Sequence, residues 1–289
     1  MLDANTFSNN EVIQFINQNL INIKIDAETE YGSALFAEFE GTGFPLLLFI
    51  NENRNEVDRF YGFYEPKAFL DKVNSIVKGE NTFPSLLKQY NLGDNSAETM
   101  SLLAKKYADR GDDSLAIALY ENVLKSKNVS SEMFHEAKYF IIAKNLWLQG
   151  PDGMLKYLEE YADSPFIDDA VNQLLSYFKY YENVEQELFY FDKYLETFKH
   201  DPWFLNQYAW RMTEINQNLD SALNKVNLAL SLMDKEAQGL ANIIDTKAEV
   251  LWKLGRIDEA IKTIDEAIAI DPESDYYQSQ KEKFSNSNL

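Results

Sequence analysis

One spacing recurs inside this chain and limits what it can fold into. Ala104, Tyr107, Gly111, Asp112, Ala116 and Tyr120 match Ala248, Leu251, Gly255, Arg256, Ala260 and Ile264 offset for offset, and Ala267 and Pro272 extend the second copy. A looser third copy runs through Tyr208, Ala209, Met212, Asn218, Leu219, Asp220, Ala222, Val226 and Ala229, with one extra residue in its turn. The spacing has a physical reason: alanines three or four positions from large apolar residues let two antiparallel helices approach closely while the large side chains fill the groove alongside. A glycine between them permits the tight turn. A repeat of this kind specifies a stack of helical hairpins.

Beyond Thr82 and Pro84, helix-length segments alternate with short Gly, Pro, Asn and Asp punctuation. Ser131 to Gln149 with Pro151 to Asp163, and Asp168 to Tyr181 with Val184 to Lys199, read as two degenerate hairpins, giving about five in all. Ser274 to Phe284 is polar with aromatics at Tyr276, Tyr277 and Phe284, as expected of a helix closing the end of a stack.

Before residue 80 the texture differs, with helical and strand-like patterns in alternation. Ser8 is expected to cap a short helix bearing Val12, Phe15 and Ile16. Leu20 to Asp26, reading LINIKID, alternates apolar and polar residues as a strand would. A helix over Tyr31 to Phe39 follows, then a buried strand over Leu46 to Ile50, a turn at Asn51 to Asn55, a returning strand over Val57 to Phe63, and a helix opened by Glu65 and Pro66 and stopped by Gly79.

Composition removes several function classes. The chain has no cysteine and two histidines, His135 and His200, so thiol chemistry and Cys-ligated zinc are impossible within it. Each histidine is read as a packed or surface ring with no role, no metal site is assigned, and no cofactor is implied. A net charge of −20 repels phosphate backbones and anionic lipid, arguing against nucleic-acid and membrane partners. Its longest early apolar run, Leu46 to Ile50, is far too short to span a bilayer, and nothing in Met1 to Asn10 resembles an export signal. The expected location of the chain as written is therefore cytoplasmic.

Three local patterns read as structure and not as sites. Asn51, Asn53 and Asn55 alternate as in a calcium loop, but Glu56 and Gly62 stand where that loop needs Gly and Glu. Gly41-Thr42-Gly43 precedes a strand, the wrong context for a phosphate loop. Acidic pairs such as Glu159-Glu160 and Asp168-Asp169 are common among 47 acids and mark solvated helix faces. No catalytic residue is named.

The repeat from Ala241 to Pro272 resembles the tetratricopeptide repeat, with Ala248, Gly255, Ala260, Ala267 and Pro272 at signature positions, and the resemblance extends over about residues 95 to 289. Lys247 departs from it, standing where that motif usually has an apolar residue. The resemblance implies a concave surface lined by the first helix of each pair, carrying Ser101, Lys105 and Ala108 in the first copy and Asp245, Glu249 and Trp252 in the last. A basic or polar peptide or protein is the implied partner.

The first 80 residues, through LINIKID, GFPLLLFI, NENRNEVDRFYGF and the helix from Glu65, resemble the C-terminal two-thirds of the thioredoxin fold. Pro45 falls at that family's cis-proline, so Phe44, Pro45 and Leu46 would form an altered peptide-docking loop. The family's first strands and Cys pair have no counterpart here. Met1 to Ser8 reads like the segment just downstream of such a pair.

The resulting expectation is a partial thioredoxin-like α/β unit over 1–80, a linker or short helix over 81–95, and a tetratricopeptide-like all-α stack with a capping helix over 96–289. Its expected function is a non-catalytic protein- or peptide-interaction module. The alternative is a fragment of a thiol-disulfide oxidoreductase, periplasmic or exported, whose Cys pair lies upstream of Met1. A missing central strand would also expose two apolar edges, around Ile21 to Ile25 and Leu46 to Ile50, which a homodimer sharing strands could cover.

Overall fold

The computed structural model describes residues 2–235 and 237–286. The chain divides into two compact units, residues 1–177 and 178–289.

The first unit opens with a single π-helical turn, Leu2–Thr6, followed by α1, Asn10–Asn19. Asn9, not Ser8, caps α1: its side-chain oxygen accepts from the backbone N–H of Glu11 and Val12. Ser8 Oγ donates to the Ala4 carbonyl at 2.6 Å and closes the preceding turn, and the helix begins at Asn10, one residue too late for Ser8 to be its cap.

LINIKID does not form a strand. Residues 20–26 have no regular structure, and Ile21 and Ile23 are 94% and 76% exposed. Alternation supplies strand propensity, but a strand exists only when a second edge accepts its hydrogen bonds, and none reaches this segment.

Helix α2, Glu30–Glu38, is capped by Thr29, and its Phe36 ring stacks on Phe44 at 4.4 Å. The Phe44–Pro45 peptide is cis. Strands β1, Leu46–Ile50, and β2, Glu56–Tyr61, then form an antiparallel hairpin that pairs Leu47 with Phe60 and slips register between Phe49 and Ile50. Asn51 Oδ1 accepts from the N–H of Asn53 and Asn55, so the asparagine-rich loop is a turn holding itself together.

The hairpin is the whole sheet among the described residues. Helix α3, Pro66–Val77, lays Phe69, Val73 and Ile76 against Phe60 of β2 and Val12 of α1 to make a small core.

Beyond the hairpin the first unit is helical. Helix α4, Phe83–Asn91, precedes α5, Ala97–Ala108, and α6, Asp113–Lys125, which turn about Gly111 at φ +79°. Helices α7, Ser131–Gln149, and α8, Asp152–Glu160, follow, and α9 covers Ile167–Tyr180. Ala104 and Ala116 are completely buried where α5 meets α6, beside Leu103, Tyr120 and Val123.

Charges join the hairpin to the helices of this unit. Glu56 accepts from both Arg59 and Arg110, and Asp58 accepts from Lys106. The Arg110 guanidinium also sits over the Phe83 ring, 4.0 Å from its centroid. Asp58 and Arg59 are 1% and 3% exposed, so each needs its partner to offset desolvation.

In the second unit, α10, Val184–Tyr194, precedes α11, Pro202–Ile215, and α12, Leu219–Leu232. The longer turn of this copy is made by Asn216 and Asn218, both left-handed, at φ +52° and +50°. Helices α13, Leu240–Lys253, and α14, Ile257–Ile270, turn about Gly255, and α15, Asp275–Ser285, packs Tyr277 and Phe284 onto them. Ala209, Ala222, Ala229, Ala248, Ala260 and Ala267 are all fully buried, as close helix approach requires.

Candidate functional site

The two triplets expected on the inner face lie at matching positions of α5 and α13, and the structure treats them alike. In the first unit Ser101 is buried, its Oγ donating to Glu136 of α7 at 3.3 Å, and Lys105 pairs with the other oxygen of Glu136 at 2.9 Å. Tyr120 OH also donates to Glu136. Ala108, one turn on, is half-buried.

In the second unit Asp245 and Glu249 are 4% and 5% exposed beneath α15. Tyr276 OH donates to Asp245 at 3.1 Å, and Gln280 Nε2 donates to its other oxygen at 3.4 Å. Lys283 Nζ donates to Glu249 at 2.6 Å and sits 4.5 Å from the centroid of the Trp252 ring, which also packs on Phe284.

Each triplet is thus brought together by its helix, and each meets the next first helix in its own unit. Of the groups that complete the contact, Tyr276 was read from sequence only as an aromatic of the closing helix, and Glu136, Gln280 and Lys283 were not singled out. A signal existed for three of them, since Tyr276, Gln280 and Lys283 follow one another at helical spacing along one face of α15.

Electrostatics follow burial. Desolvation pushes the Asp245 carboxyl up to about 6, and the neighbouring Glu249 charge adds to the shift, while hydrogen bonds from Tyr276 and Gln280 oppose it. Burial likewise raises the Tyr276 hydroxyl, and the Asp245 charge reinforces the effect. Both groups are shifted toward their neutral forms relative to the same groups in water.

At the other expected site, Phe44 is 68% exposed and Pro45 is exposed, while Leu46 begins β1 opposite Tyr61. The Pro45 carbonyl accepts from Gly62 N–H at 3.1 Å, tying this loop to the end of β2. The residues form a surface loop with an aromatic stack.

The histidines carry no constellation. The His135 ring packs edge-on against Phe134 and Tyr161, 5.5 Å from each, and His200 is exposed. No group of three or more His, Asp or Glu among the described residues could hold a metal ion. Nor is any helix among them long and apolar enough to cross a membrane.

Comparison with known proteins agrees with this geometry. The tetratricopeptide repeat matches residues 241–274, the span of α13, α14 and their flanks. No curated protein matches the chain. Among solved structures, BtubC from P. vanneervenii superposes with a TM-score of 0.50 at 17% identity, over 65% of this chain and 86% of that one. YrrB, described as a tetratricopeptide-repeat protein with an unusual peptide-binding site, gives 0.49 at 17% identity, over 68% of this chain and 97% of its own. The helical part of this chain is a tetratricopeptide-like repeat stack.

Proposed function

We propose that the chain is a non-catalytic module that binds a basic or polar peptide or protein segment on the first-helix faces of its repeats. The observation that supports this most is the group each face leaves accessible beside its buried polar cluster: Lys105 next to Ser101 and Glu136 in one unit, and Trp252 next to the α15-covered Asp245 and Glu249 in the other. A purely structural helix interface would favour apolar residues at such positions. Lys105 keeps nearly half of its side chain exposed, and Trp252 is only half-buried, so each face retains groups a ligand can touch. With 47 acids against 27 bases, the surrounding field attracts cationic segments.

The docking loop at Phe44, Pro45 and Leu46 belongs to the same proposal as a second contact surface. In this reading residues 1–80 are a thioredoxin-like remnant lacking the strand expected over residues 20–26, and what supports it is the order of the remaining elements, α1, α2, β1, β2, α3, with the shared core of α1, β2 and α3.

Fluorescence anisotropy with labelled 12-residue peptide pools, one rich in Lys and Arg and one rich in Asp and Glu, tests it. The expected result is binding of the basic pool alone, weakened as salt rises and weakened at least several-fold by Trp252→Ala. Equal binding of both pools, or no binding of either at 100 μM protein, overturns the proposal.

A further inference from the structure

Two elements of the first unit can each form half of a β-ladder, and neither finds the other half. Leu20 leaves α1 in an extended conformation, at φ −136° and ψ 155°. From Ile21 to Ile25, among the described residues, the main chain makes no hydrogen bond to another main-chain group. Ile21, Ile23 and Ile25 are β-branched, alternate with polar residues and face solvent. The hairpin, for its part, has only two strands among the described residues, so the outer edge of β1 has no hydrogen-bonded strand beside it there, and its residues Leu46–Ile50 carry no charge. Strand β2 offers no comparable apolar edge, because its Asp58 and Arg59 are locked into ion pairs.

Charge decides what can cover these surfaces. The chain carries −20, so two copies repel over most of their area. Residues 20–26 and 46–50 are an exception: their ionised side chains are Lys24 and Asp26, which cancel. A donor segment of zero net charge with one apolar face and a neutral, apolar acceptor edge lie on the same chain. We infer that they pair between two copies of this chain, residues 20–26 of each adding a strand to the open edge of β1 in the other. The exchange is reciprocal, so a two-fold axis closes it and leaves no free end to propagate.

Light scattering on the full chain from 1 to 100 μM at physiological salt tests this. The mass should rise to twice 33.4 kDa with concentration. Ile23→Lys, at a side chain that touches no core, should return it to a monomer with unchanged circular dichroism and thermal midpoint. Because the chain has no cysteine, a mixture of Ile23→Cys chains with Leu46→Cys or Leu48→Cys chains reports the contact directly as a mixed disulfide between copies. A monomer at 100 μM, a dimer that Ile23→Lys leaves intact, or the absence of a mixed disulfide with either leucine position overturns the inference. So does a double Ile23→Cys, Leu48→Cys chain that closes its disulfide internally at high dilution, because the strand would then belong to its own edge.

Discussion

Asp245→Asn should stabilise the second unit at pH 8, and the reason can be worked from the burial of that carboxyl. Its folded-state pKa is raised from 3.8 to about 6, first by desolvation and then by Glu249. A carboxyl raised in this way favours the protonated form when folded, so its contribution is greatest at low pH and is lost as pH climbs from about 4 through about 6. A shift of about two units corresponds to about 3 kcal/mol between the two limits, with about 1.4 kcal/mol of it falling between pH 5 and pH 8. Asn cannot ionise and escapes the whole penalty. It turns one of the two acceptors facing Tyr276 and Gln280 into an NH2, which costs about 1 kcal/mol. The net expectation is a gain of about 1–2 kcal/mol at pH 8 that shrinks by about 1.4 kcal/mol at pH 5. Urea denaturation of parent and variant at both pH values measures it, because titrating groups remote from Asp245 cancel in the difference. A variant less stable than the parent at pH 8, or a difference that does not change with pH, would refute the argument.

Other substitutions probe the packing of the same unit. Ala260→Leu forces extra volume into a completely buried contact between α13 and α14 and should destabilise by about 1–3 kcal/mol, read as a lower thermal midpoint. Gly255→Ala meets no atom within 4 Å but must hold φ at +76°, so it should lose about 1 kcal/mol through backbone strain alone, with unchanged helix content by circular dichroism.

Much of the helical architecture was legible. The alanines at 104, 116, 248 and 260 and the glycines at 111 and 255 mark close approach and tight turning, both local requirements, and all four alanines are fully buried. The caps were less legible: Ser8 and Asn9 are both competent, and the choice turned on the preceding turn, held by Ser8 on Ala4, letting the helix start only at Asn10. The strand over LINIKID was misread because alternation describes one side of a pairing only. For the site, the matching of Ser101 with Asp245 and of Lys105 with Glu249 was visible in the repeat. That Glu136 and the polar face of α15 cover them was not, since those residues come from elements 30 or so positions away.

By itself, then, the sequence determined what depends on neighbours along the chain: which segments coil, where they turn, which small residues face inward, and that no thiol chemistry occurs in a chain without cysteine. Only the tertiary structure decided which polar groups are desolvated, which edges find partners and which are left open. Helical hydrogen bonds close within four residues and can be read locally, whereas a strand's bonds and a carboxylate's solvation depend on groups brought from far along the chain. Ile23 and Asp245 mark the two cases, one left in water for want of an edge and one taken out of water by a helix packed over it.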